Sequence, residues 1–441
     1  MTITRRRFLM AGAGIAGGFG SLARITASAQ TPGTGYKALV CIFLTGGNDG
    51  NNLLVPISSS GYQGYAAARG ALAIPESSLV PVSAANGAAY GFHPETASLA
   101  GLFTQKKLAV VANVGMLIQP TTQAQYLQNT APLPSDLFSH IDQQSQWQSG
   151  GLSTGWGGRI ADGLQSFNGT STFPAIVSVA GPALFGQGSS TQAATVIPGV
   201  APGLTSFGSS ASGNANLQAF QELLTFDSGV QLIQAASAQT TAGIQQANLL
   251  QRAMALSTPL STPFPNTSLG QQLLQVAQII QARSQLGMNR QIFFCSITGF
   301  DTHTGQLAQQ GPLFQQVNDA MLAFYNSTLE MAVDQQVTTF TETEFGRTLQ
   351  PSAGWGSDHA WGNHQLVLGG AVKGGALFGT FPSLALGGPD DASGRGVWIP
   401  TTSLDQYGAT LAAWFGVAPS ALTSIFTNLS NFQTTNIGFL G

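Results

Sequence analysis

The chain has 441 residues, of which 43% are hydrophobic and only 7% charged, with 15 basic and 18 acidic side chains. That length suits one large α/β domain or two smaller ones. Two cysteines in the whole chain exclude a disulfide scaffold, and the lack of any basic run beyond the N-terminus excludes a nucleic-acid partner.

The N-terminus reads Thr4-Arg5-Arg6-Arg7-Phe8-Leu9, then an apolar run from Met10 to Ala23 broken by five glycines, then Ala27-Ser28-Ala29. This pattern predicts a twin-arginine export signal over residues 1–29, cleaved before Gln30, and so a periplasmic or secreted protein. Cleavage removes Arg5, Arg6, Arg7 and Arg24, leaving 11 basic against 18 acidic residues and a net charge of −7. No second long apolar run follows, so the mature chain, a single domain over 30–441, is expected to have no membrane span.

Residues 37–44, KALVCIFL, are nearly all apolar, as in a parallel strand buried on both faces. The strand runs into TGGNDGNN, which places Asp49 at its carboxyl end, where open α/β sheets put their ligands. Neither GxGxxG nor GxxxxGK is present, which argues against a phosphate-binding dinucleotide loop. His93-Pro94 opens a helix with Leu99, Leu102 and Phe103 on one face, and His93 reads as structural. Residues 108–114 form a second buried strand. Ser139 precedes a helix, with Asp142 three positions on, in a capping-box arrangement; a serine at that place also sits beside free N–H groups that stabilise an anion. From Gly186 the composition turns to Gly, Ser, Thr and Ala, and 186–290 reads as a largely helical insert or cap. Leu269, Leu273, Val276 and Ile280 recur there at the helical period.

Residues 291–298, QIFFCSIT, form a third buried strand leading to GFDTH, where Asp301 and His303 stand two apart and point the same way in extended chain. TETEFGR follows with Glu344 and Arg347, and SDHAWGNH adds Asp358, His359 and His364 on a loop. These motifs hold three of the five histidines. Mixed carboxylate and imidazole donors suit zinc, manganese or iron better than calcium or magnesium. Seven potential ligands, Asp49, Asp301, His303, Glu344, Asp358, His359 and His364, exceed what one closed site needs, which favours two ions or one ion with acid–base groups. The guanidinium of Arg347 is a planar fork suited to phosphate, sulfate or carboxylate.

LVCIFLTGGNDGNNLLVP, GFHP, SHIDQQ, GFDTH, TEFGR, SDHAWGNHQLVLGGAVKGG and PTTSLDQYGATLAAWFGV, in that order, resemble the bacterial domain-of-unknown-function 1501 family. Its members are exported twin-arginine proteins related to the alkaline phosphatase and sulfatase superfamily. The resemblance runs from about residue 35 to 418 and is looser in the middle third. It implies a doubly wound α/β fold, a mostly parallel sheet flanked by helices, alkaline phosphatase-like, with a helical insert. It further implies metal on Asp49, Asp301, His303, Glu344, Asp358, His359 and His364, and Ser139 as nucleophile. The second paired Asp-His motif of the phosphatases reads Glu-Phe-Gly-Arg here, a departure from their pattern.

The expectation is therefore an exported hydrolase of a phosphate or sulfate ester, dependent on one or two divalent ions, zinc or manganese. Ser139 or a metal-activated water would attack, Arg347 would bind the anion, and His140 would serve in acid–base chemistry or support a ligand. The rival expectation is a non-catalytic exported binding or assembly protein with a structural metal and a protein partner. An open cleft speaks for the first and a closed site for the second.

Overall fold

Alternation along the first strand explains why it is apolar throughout. Ala38, Val40, Ile42 and Leu44 enter one hydrophobic core, while Leu39, Cys41 and Phe43 enter another on the opposite face of the sheet. The computed structural model describes residues 35–204, 207, 210–227 and 229–441, and the predicted export signal lies outside them. Residues Gly35–Gly441 form one compact unit.

Among the described residues the main sheet has nine strands. They are β1 (Lys37–Thr45), β2 (Leu108–Gly115), β3 (Ile176–Ser178), β4 (Ala194–Thr195), β5 (Arg290–Thr298), β6 (Val337–Glu342), β7 (Asn363–Leu368), β8 (Leu377–Phe378) and β9 (Thr402–Ser403). Their spatial order is β8-β2-β7-β6-β1-β5-β3-β4, with β9 also on β2. β1 pairs in parallel with β5 (Lys37 opposite Arg290) and with β6 (Ala38 opposite Val337). Only β7 runs antiparallel to its neighbours, β2 and β6. A smaller antiparallel sheet joins Leu54–Pro56, Val80–Ser83 and Ala89–Phe92.

Helices cover both faces, which makes the sheet doubly wound. Leu269, Leu273, Val276 and Ile280 of helix Ser268–Gln281 share the first core with Phe314, Val317, Met321 and Phe324 of helix Gln306–Glu330. The second core holds Trp147, Trp156 and Ile160, with Tyr407, Leu411 and Phe415 of helix Leu404–Phe415. Cys41 and Cys295 are buried free thiols in different cores, so the sheet itself separates them.

The stretch 186–290 is not uniform. Helix Ser268–Gln281 is core, whereas helices Ala211–Thr225 and Gln231–Ala255 leave Leu223, Leu232 and Ile233 exposed. No helix among the described residues is long and apolar enough to cross a membrane.

Candidate metal centre

Strand direction gathers the polar motifs at one edge. β1, β5 and β6 are parallel and deliver Gly46–Asp49, Asp301–His303 and Glu344–Arg347 from their carboxyl ends. β7 runs the other way, so Asp358 and His359, which precede it, arrive at the same edge. Gly46 has φ +119, and a Cβ there would lie 2.4 Å from the Asp301 nitrogen. Only glycine lets the β1 loop approach the Asp301 segment that closely. Helix His140–Ser149 brings His140 to the group from the second core.

His140, Asp301 and His359 each offer one ligand atom, and the three atoms lie within 4.8 Å of one another. Partners fix the tautomer of both histidines. His140 Nδ1 lies 2.9 Å from Glu344 Oε1, an acceptor, so Nδ1 carries the proton and a neutral ring presents Nε2 as a lone pair. His359 Nδ1 donates to the Phe138 carbonyl at 2.7 Å, which leaves its Nε2 as a lone pair facing His303 Nε2 at 2.9 Å. His140 Nε2 is buried, 3.4 Å from Asp301 Oδ1, and makes no hydrogen bond. His359 Nε2 is 3.5 Å from the same oxygen. Two imidazoles oriented by a carboxylate and a carbonyl, facing one carboxylate oxygen, form a donor set that fits a divalent cation.

Neighbouring groups set the ionisation of this set. Burial would raise the Asp301 carboxyl, but the hydrogen bond and charge of Arg347 hold it below its usual range. Burial likewise opposes ionisation of Glu344, and hydrogen bonds from His140, Gln144 and the Gly46 N–H overcome it. The Glu344 hydrogen bond raises His140, whereas burial, with Arg347 nearby, lowers His359. His303 adjoins the set, with Nε2 at 2.9 Å from His359 Nε2 and 3.1 Å from Asp301 Oδ1. Asp358 lies 3.5 Å from His303 Nδ1 and 2.7 Å from Arg395. The Asp301 and His303 side chains are 47% and 43% exposed, so the centre opens to solvent. A groove of about 820 Å³ between residues 190–203 and helix Gln231–Ala255 shares no residue with it.

Several residues singled out in the sequence stand elsewhere. Asp49 is buried against Arg69, caps helix Gly50–Leu53 through the Asn51 N–H, and accepts from Gln306, so its carboxylate serves the framework. His364 lies on buried strand β7, not on a loop; its Nδ1 accepts from the Asn113 N–H at 3.1 Å and its ring stacks on Phe381. Arg347 is buried, and its fork donates to the Gly46, Gly47 and Ser357 carbonyls and to Asp301, so it holds loops together instead of presenting a free face to a substrate anion. Ser139 caps its helix, with its hydroxyl on Asp142. Glu344 orients His140 from behind. His93 caps the turn Pro94–Thr96 and packs on Phe314. Two contributors escaped the sequence reading, Gln144 and Arg395. Gln144 lies one helical turn after His140, a spacing that was legible; Arg395 sits in a glycine-rich loop with no local signal.

The family model described as a protein of unknown function, DUF1501, matches residues 36–392. The chain belongs to the DUF1501 family. No curated protein sequence matches this DUF1501 protein. Among solved structures it is similar to the C-terminal periplasmic domain of EptC from Escherichia coli in complex with zinc. Identity there is 10%, coverage 88% of this chain and 84% of that one, and the TM-score 0.33. It is also similar to the lipoteichoic acid synthase LtaP from Listeria monocytogenes (8% identity, 86% and 78% coverage, TM-score 0.33). A third similar structure is an alkaline phosphatase superfamily protein from Vibrio parahaemolyticus (11% identity, 87% and 67% coverage, TM-score 0.29).

Proposed function

We propose that this DUF1501 protein is an exported hydrolase of a phosphate or sulfate ester that depends on a divalent ion, zinc or manganese, held by His140, Asp301 and His359. The observation that carries this reading is the buried, unpartnered His140 Nε2 facing Asp301 Oδ1, with the ring fixed by Glu344. The exposure of Asp301 and His303 supports a catalytic over a structural role, since structural ions sit in closed sites. When bound, such an ion acts as a Lewis acid and brings the pKa of water towards neutrality.

The chain's own residues then divide the work. Glu344 and the Phe138 carbonyl orient the two histidines. Arg347 positions Asp301 and neutralises part of its charge. Asp358 orients His303 beside the ligands, where it is placed to exchange a proton with water or the leaving group. Arg395 spends one nitrogen on Asp358 and is 42% exposed, which gives it, in place of Arg347, a free edge for the substrate's anion. Water is the proposed nucleophile, because the Ser139 hydroxyl is taken up by Asp142.

The test is hydrolysis of a panel of phosphate and sulfate esters by the mature chain, before and after chelation. Activity lost on chelation and restored by zinc or manganese is the expected result. A protein loaded with ion that turns over no ester would favour the binding or assembly reading.

A further inference from the structure

Exposed apolar residues stand in the segments that carry the centre, beside its charged groups, which a site for small hydrophilic anions does not need. Trp355 is 69% exposed. Four of the other five tryptophans, Trp147, Trp156, Trp361 and Trp398, are buried. Trp355 lies in the loop between β6 and β7, three residues before Asp358, and backbone bonds pin it beside the segment that carries His303. Its carbonyl accepts from the Gln306 N–H at 2.9 Å, and it bridges Thr304. Its φ is +60, a left-handed conformation that a bulky side chain rarely adopts. No hydrogen bond holds the indole among the described residues, so the backbone contacts account for the conformation of the residue and leave its side chain free. On the His140 side stand two further exposed apolar residues, Ile141 at 83% and Phe138 at 38%. Phe138 belongs to the centre itself, since its carbonyl receives the His359 proton.

We infer that Trp355, with Phe138 and Ile141 on the other side, receives an apolar arm of the substrate, so that the ester anions bound at this centre are amphiphiles. Charge and shape divide the ligand between the two parts. The anionic head meets His140, Asp301, His359 and the free edge of Arg395, while an alkyl arm lies over the indole and the Ile141 side chain. The inference rests on the ester reading above and narrows its substrate class.

Calorimetric titration of the ion-loaded chain with octyl and ethyl phosphate, and with octyl and ethyl sulfate, all below the micelle concentration, tests it. The octyl ester should bind at least about tenfold more tightly than the ethyl ester, as burial of a few methylenes implies. Trp355→Ala should lose most of that gain, with ion content, thermal unfolding and ethyl-ester affinity unchanged; Trp355→Phe should keep most of it. Equal affinities for octyl and ethyl esters, or no effect of Trp355→Ala, would overturn the inference and leave the ester reading standing. Binding of 1-octanol as tight as that of octyl phosphate would also overturn it, marking a plain apolar surface. If the ion-loaded chain bound none of the four esters, both the ester reading and this inference would fall.

Discussion

The Glu344 carboxylate accepts from His140 Nδ1, so that one proton sits on Nδ1 and none on Nε2. Exchanging its carboxylate for an amide keeps the volume but removes the charge that fixes the ring. Glu344→Gln is therefore expected to fold normally and to bind zinc about 10–100-fold more weakly, measured by competition with a chromogenic chelator. Ser139 makes the opposite case. Its hydroxyl pairs with Asp142 at the helix start, so Ser139→Ala should cost about 1 kcal/mol in urea unfolding. Ester turnover, where it is found, should survive that change; a complete loss with the fold intact would return Ser139 to the role of nucleophile.

At the scale of elements, Asp49 is a junction. Arg69 reaches it from helix Ser59–Arg69 and also donates to the Asn52 side chain and to the Thr348 and Leu349 carbonyls. Gln306 reaches it from helix Gln306–Glu330 and accepts from Ser357, one residue before Asp358. The junction therefore steadies the loop that presents Asp358 and His359. Asp49→Asn leaves Arg69 buried without its counter-charge and should destabilise the fold by about 3–5 kcal/mol, while the folded fraction still takes up its ion. Loss of the ion from a fully stable Asp49→Asn protein would instead make Asp49 a ligand.

The same element shows where sequence reading stops. The strands were legible because both faces are buried, leaving uninterrupted apolar runs such as VCIFL. Asp301, His303 and His359 were legible because acids and histidines are scarce in this chain. The division of labour among them was not. Whether Asp49 faces an ion or Arg69 depends on a contact across 20 residues, and Arg347 is consumed by carbonyls 300 residues away. His364 looked like the other motif histidines because alternation within β7, which buries every residue of NHQLVL, gives no polar side to read.

Over the whole molecule, two buried neutral histidines set the response to acid. Burial lowers both His93 and His364 from 6.5 to about 4. A group with a depressed folded value stabilises the fold fully above its unfolded value and loses that contribution as pH falls through the folded one. Stability should thus decline between about pH 6.5 and pH 4, by up to roughly 3 kcal/mol for His364. Urea midpoints across that range measure it. His364→Gln, whose amide oxygen can accept from the Asn113 N–H, should show a shallower acid limb, and an unchanged limb would count against the assignment.

If His140, Asp301 and His359 share one ion, elemental analysis of the purified mature chain detects it. About one zinc or manganese per chain is expected, lost in His140→Ala, Asp301→Ala and His359→Ala and retained in His364→Gln. A well-folded wild type that neither carries nor takes up an ion would contradict the account, as would variants of all three residues that keep their ion.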